Sequence, residues 1–218
     1  VHVFGSGHSR IMVEEMWPRY GSFPGFNPIV ELSLTHHTQV VGTNGQRQAM
    51  YLENVPGLAE RILRNFDCTG KDSALIISSS GCNIVPIEMA EEFQQKDIKV
   101  VALVSRKHLE ASNGKRKDGK KLDDFADLVL DTGAPKGDAI VKIENLDLPV
   151  SPGSTIGGCL VVNAIKAEVA RLLTKNGKPP LALTATCLVG KERAEQIFEA
   201  AYDEHSRRLA NLYKNLGQ

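Results

Sequence analysis

At 218 residues the chain is long enough to bury one substantial core. Its 26 basic and 26 acidic side chains cancel and only 6% of residues are aromatic, which excludes the basic, aromatic-studded stripe of a nucleic-acid groove. No run of about 18 apolar residues could span a membrane, and no signal peptide is visible, so neither membrane nor nucleic acid is expected as a partner.

Short β-branched runs alternate with longer helical segments along the chain. Residues 1–4 read as a buried strand ended by Gly5-Ser6-Gly7. A helix over residues 8–20 follows, with Ile11, Met12, Met16 and Tyr20 spaced for one face. The first residue is not Met and the sequence starts inside an apolar strand. That start predicts a missing upstream helix that covers the first strand's domain. A second apolar run occupies residues 29–34, and a polar loop leads to a helix over residues 49–65 that Pro56-Gly57 should kink or restart.

Residues 73–78 read as a strand buried on both faces, residues 84–96 as a helix with Pro86 tolerated in its first turn, and residues 99–104 as another apolar strand. Two such strands joined by a helix form a βαβ unit and therefore a parallel sheet. A short helix from residue 122 should lead into a fifth strand at 127–131, and residues 139–143 into a further one. Ser154 or Thr155 should cap a long helix that stops at Gly177. The last helix, residues 190–216, carries Ile197, Tyr202, Leu209, Leu212 and Leu216. The whole reads as an α/β fold with helices on both sheet faces.

The four cysteines, at 68, 82, 159 and 187, lack the spacing of a zinc site and read as reduced structural thiols of a cytoplasmic protein. His36-His37 has no third ligand at metal spacing, so no metal and no other cofactor is expected. The basic stretch at residues 115–121, broken by Asp118 and Gly119, reads as a solvated loop.

Two strand-to-helix loops stand at the carboxyl ends of strands, where open α/β sheets bind ligands. The first is Gly5-Ser6-Gly7-His8-Ser9; the second is Ser78-Ser79-Ser80-Gly81-Cys82-Asn83. Unpaired N–H groups at a helix start attract a phosphate, serine hydroxyls add donors, and glycine lets the backbone approach. The first loop lacks the third glycine of a dinucleotide fingerprint, and neither loop has the Lys-Ser/Thr of a nucleotide P-loop. A phosphorylated ligand held by residues 78–83 is the resulting expectation. If the protein also moves a proton on that ligand, the candidate bases are Glu15, Glu53 and the histidines. His8 lies inside the first loop, and Lys107 and His108 follow the fourth strand.

At these loops the sequence resembles the SIS (sugar isomerase) domain family. The resemblance rests on Val-Phe-Gly-Ser-Gly-His-Ser at 3–9, Leu-Ile-Ile-Ser-Ser-Ser-Gly-Cys-Asn at 75–83, Val-Val-Ala-Leu-Val-Ser at 100–105 and Ala-Asp-Leu-Val-Leu-Asp at 126–131. It continues through Gly137-Asp138-Ala139 and Pro152-Gly153-Ser154-Thr155, to about residue 176. It looks closest to uncharacterised bacterial SIS proteins of the phosphoheptose-isomerase-like kind. The resemblance implies a three-layer α/β/α sandwich around a five-stranded parallel sheet of order 2-1-3-4-5. It also implies one SIS domain over residues 1–218, with 177–218 as a C-terminal extension ending in a long helix, and assembly into a homodimer or homotetramer.

It further implies that Ser78, Ser79, Ser80, Gly81 and Asn83 grip a phosphate, with Asn83 in place of the family's usual hydroxyl residue. Ser6, His8 and Ser9 would meet the sugar, as would Ser154 and Thr155. Glu15 resembles the base of phosphoheptose isomerases, and His205 stands about where those enzymes carry an acid histidine. Glu53 resembles the catalytic Glu of a lyase branch that cleaves a lactyl ether from a muramic acid phosphate. A cytoplasmic sugar-phosphate isomerase is therefore expected. The alternatives are a non-catalytic phosphosugar sensor or an amino-sugar-phosphate lyase or etherase.

Overall fold

A computed structural model describes residues 1–38 and 42–213. Its centre is a five-stranded sheet of order β2-β1-β3-β4-β5 with every neighbouring pair parallel. The strands are β1 (His2–Gly5), β2 (Asn27–Ile29), β3 (Ser73–Ile77), β4 (Lys99–Val104) and β5 (Leu128–Asp131).

The continuous apolar runs have a direct cause: both faces of the sheet are covered, so neither parity of residue can be polar. Phe4, Ala74, Ile76, Val100, Ala102 and Val104 point to one core, shared with α3 (Leu58–Leu63) and α4 (Ile84–Gln94). Val3, Leu75, Ile77 and Leu103 point to the other, shared with α1 (Arg10–Glu15) and the 22-residue α6 (Ser154–Lys175). Helix α2 (Gly45–Leu52) lies between β2 and α3, and the short α5 (Arg106–Glu110) follows β4. Helices α7 (Thr186–Val189) and α8 (Lys191–Ala210) complete the chain, and Tyr202 Oη on α8 donates to the Pro18 carbonyl at 3.0 Å.

Several elements differ from the sequence reading. The first helix ends at Glu15 rather than residue 20, because Pro18 has no N–H to continue the ladder. The run at 29–34 is split. Strand β2 closes at Ile29, and the Glu31 side chain accepts from Ser33 N at 3.2 Å, starting a 3-10 turn at Leu32–Leu34. Pro56-Gly57 restarts the helix, with Gly57 at φ +80° just before α3.

The segment expected as a further strand forms β6 (Ala139–Val141), paired antiparallel with β7 (Val150–Pro152) outside the main sheet. Gly153, not Ser154 or Thr155, is the residue before α6. The cap comes instead from Asp138, whose carboxylate accepts from Ser154 N at 2.7 Å and from Ser154 Oγ at 2.9 Å. The final helix ends at Ala210, and Leu216 lies outside the described residues.

Helix α6 starts close against the sheet. A β-carbon on Gly157 would stand 1.9 Å from the Thr132 carbonyl oxygen just past β5, a backbone atom that cannot swing aside. Gly157→Ala should push the first turn of α6 outward. Overpacking of this kind costs about 1–3 kcal/mol, so calorimetry should show a melting temperature several degrees lower.

Candidate functional site

The order 2-1-3 makes the chain leave β1 and β3 in opposite senses, so their carboxyl ends open a crevice. A cavity of about 320 Å³ lies there. The loop after β1 contributes Ser6, Gly7, His8 and Ser9, and the loop after β3 contributes Ser78, Ser79, Ser80 and Asn83. The start of α6 adds Ser154 and Thr155. Topology alone brings these three segments together from places 150 residues apart in the sequence.

The loop after β3 is fixed from outside. Ser78 N donates to the Leu103 carbonyl at 3.0 Å, and the Ser79 carbonyl accepts from Ser105 N at 2.9 Å. Gly81 sits at φ +62°, where a β-carbon would lie 2.6 Å from Leu109 Cδ1, so both conformation and space call for glycine. Ser78 is buried but faces the cavity. Ser79 Oγ and His108 Nδ1 are closed off from solvent and have no hydrogen-bond partner among the described residues. An unpartnered buried polar atom is costly, and both residues line the cavity. The first turn of α4 offers fewer donors than a bare helix start: Pro86 has no N–H, and Val85 N donates to the Glu53 carbonyl at 2.9 Å.

Glu53 ends α2 and is 8% exposed. Ser6 Oγ donates to its Oε2 at 2.7 Å and Asn83 Nδ2 to its Oε1 at 2.7 Å, so this carboxyl ties the two strand-end loops together. Burial pushes its pKa up, against the opposing Ser6 hydrogen bond and the charge of Lys115. The Asn83 amide, expected to face a phosphate, spends an N–H on Glu53 and accepts from Lys115 Nζ at 2.5 Å. His8 stacks on His36 with centroids 4.3 Å apart. Burial first, then His36, hold the His8 pKa below its ordinary value against the Gln46 side chain, so the ring is neutral at pH 7.

Glu15 and His205 do not reach this cavity. Glu15 faces α6, where Arg19 donates to one carboxylate oxygen, Asn163 Nδ2 to the other at 3.0 Å, and Lys166 Nζ to its carbonyl at 2.9 Å. Burial raises the Glu15 pKa, but the hydrogen bonds from Asn163 and Arg19 outweigh that and leave it low, which makes it a weak base. His205 lies on α8, one turn before Arg208, whose charge acts on the amino group of Val1. That is the opposite end of the sheet from the cavity.

The cavity also includes Met12, Gln46, Met50, His108 and Asp138. Gln46, Met50 and Glu53 stand at i, i+4 and i+7, the spacing of one helix face, and that pattern was available in the sequence. Asp138 carried no such signal, because its role depends on a cap sixteen residues away.

The folded chain holds the Glu53 proton more tightly than the unfolded chain does. Its contribution to stability should therefore fall as pH rises from the ordinary carboxylate range through the raised folded value. Thermal denaturation from about pH 4 to about pH 8 should show that decline in the parent chain and a flatter profile in Glu53→Gln.

The SIS domain family model matches residues 1–105. A UPF0309 protein of Halalkalibacterium halodurans is 38% identical over 83% of this chain and 72% of its own. A UPF0309 protein of Listeria innocua is 31% identical over 99% of this chain and 84% of its own. A crystal structure of an hypothetical protein aligns with 92% of this chain and 75% of its own, with 13% identity and a TM-score of 0.42. With the loops after β1 and β3 inside the matched segment and relatives of this identity along its length, the chain belongs to the UPF0309 group of SIS-domain proteins.

Proposed function

We propose that this chain binds a phosphorylated sugar at the crevice between β1 and β3 and interconverts its aldose and ketose forms, with Glu53 as the base. One observation carries the reading: an anion-suited loop and a buried carboxyl of raised pKa line a single cavity. The phosphate sits on Ser78, Ser79, Ser80 and the neighbouring backbone, whose donors suit a dianion. Held at that end, the sugar runs along Ser6, His8 and Ser9 toward Glu53, and phosphate binding supplies the positioning energy.

The Glu53 carboxylate takes the proton from the carbon next to the carbonyl, giving an enediol, and returns it to the former carbonyl carbon. Neutral His8 donates its N–H to the carbonyl oxygen while a hydroxyl proton passes between the two adjacent oxygens. A carboxyl whose pKa is raised by burial is a stronger base than an exposed one. Ser154 donates its hydroxyl to Asp138, so it meets the sugar through its lone pairs. Neither Glu15 nor His205 has a part in this step.

A thermal-shift screen of hexose, heptose and amino-sugar phosphates identifies the ligand, because a compound bound only by the folded state raises the melting temperature. Ser80→Ala should weaken phosphorylated ligands about tenfold or more and leave free sugars unaffected; equal loss for both overturns the anion's placement. Glu53→Gln should lower turnover by a factor of about 10²–10⁴. Undiminished turnover rules out Glu53 as base, release of a leaving group marks a lyase, and binding without turnover marks a sensor.

A further inference from the structure

The basic segment at 115–121 is a mostly exposed loop, yet several of its side chains have partners in the fold. Arg116 donates to Glu91 on α4 at 2.7 Å and to Asp118 at 3.0 Å, and its guanidinium lies 5.1 Å from the Phe125 ring centroid. Lys120 Nζ stands 5.0 Å over the same ring, and Lys121 Nζ donates to the Leu109 carbonyl at 2.7 Å. A β-carbon on Gly114 would meet the Gly119 carbonyl oxygen at 2.4 Å, so the loop closes tightly on itself. Lys115 N donates to the Cys82 carbonyl at 3.1 Å, which docks the loop on the one that follows β3.

Docked in this way, Lys115 reaches the site indirectly. Its Nζ donates to Asn83 Oδ1 at 2.5 Å, and Asn83 Nδ2 donates to Glu53 Oε1 at 2.7 Å. The cation fixes the amide orientation: oxygen toward the ammonium, nitrogen toward the carboxylate. Asn83 precedes α4 yet makes no side-chain cap bond, so the amide is committed to this relay rather than to the helix. No lysine or arginine lines the cavity among the described residues, and its other titratable groups are His8, His108 and Asp138. The charge of Lys115 also acts on Glu53 directly through space, lowering its pKa, beside the hydrogen-bonded relay.

We propose that Lys115 is a positioning residue for Glu53, acting through Asn83 to aim the carboxylate and to hold it ionised inside a buried site. The inference rests on Glu53 being the working base, yet its test needs neither substrate nor turnover. The side-chain carboxyl of Glu53 is followed by carbon-detected NMR across a pH titration of the full chain, its signal identified by its loss in Glu53→Gln. Lys115→Met should raise the Glu53 midpoint by about half a pH unit or more, and Lys115→Arg should restore most of it. With Asn83→Ala as background, Lys115→Met should cause a clearly smaller shift, since the relay is already cut and only the through-space effect of the charge remains. Lys115 is exposed, so its variants should keep the parent's melting behaviour to within a few degrees, while Asn83→Ala removes a bond to Glu53 and is compared with its own double variant. An unchanged midpoint in Lys115→Met overturns the proposal. So does a shift of equal size with and without Asn83, which would make Lys115 a direct electrostatic neighbour. Weaker binding of inorganic phosphate with an unmoved Glu53 midpoint would make Lys115 a phosphate ligand only, and also overturns it.

Discussion

A buried carboxylate that holds two loops together is the constraint on which the site depends. Taking Glu53 out of water is costly, and two hydrogen bonds from Ser6 and Asn83 offset part of that cost. The residual shows as a raised pKa. A fold selected for stability alone has little reason to keep such a group, since apolar replacements of buried charges are often neutral or better. Glu53 also fixes α2 against α4, because its carbonyl accepts the Val85 N–H. One residue thus registers three things at once: the loop after β1, the loop after β3, and the helix that brings Gln46 and Met50 into the cavity.

The cavity lining offers hydroxyl and backbone donors suited to an anion but, among the described residues, no lysine or arginine. Serine hydroxyls and backbone dipoles face one end, while Glu53 and Asp138 lie on the same lining. A ligand that is negative throughout would be repelled by these carboxylates, whereas one with a single anionic end and a hydroxyl-rich body matches both parts. Asp138 is itself anchored, with both oxygens used by the first residue of α6. The position of Ser154 and Thr155 therefore depends on an internal carboxylate cap and on the close seat of Gly157 against Thr132.

How much of this was legible in the sequence follows from where the information lies. Strands β1, β3 and β4 stood out because burial on both faces leaves only apolar residues in a row. Strand β2 did not, since a three-residue strand containing Pro28 has no periodicity to detect. The serine loops were readable from local chemistry, and their meeting followed from the parallel topology. Which of Glu15 and Glu53 lines the cavity was not readable. It depends on Asn163 and Lys166, some 150 residues further along, which bind Glu15 against α6. That His205 lies away from this cavity was unreadable for a similar reason, because nothing local fixes where the last helix lies.

The basic loop shows the same limit from another side. Composition made residues 115–121 look like a charged stretch in water, and for an isolated segment that reading is sound. The folded loop is indeed mostly exposed, and what composition could not show is a set of distant partners, Glu91 and Phe125 for Arg116, Cys82 and Asn83 for Lys115. A lysine on an exposed loop and a carboxyl in a buried site are joined here through the Asn83 side chain. A hydroxyl can also accept and donate, but its reach is shorter. An amide presents an acceptor and a donor on opposite sides, and can therefore connect a cation outside the cavity to an anion inside it.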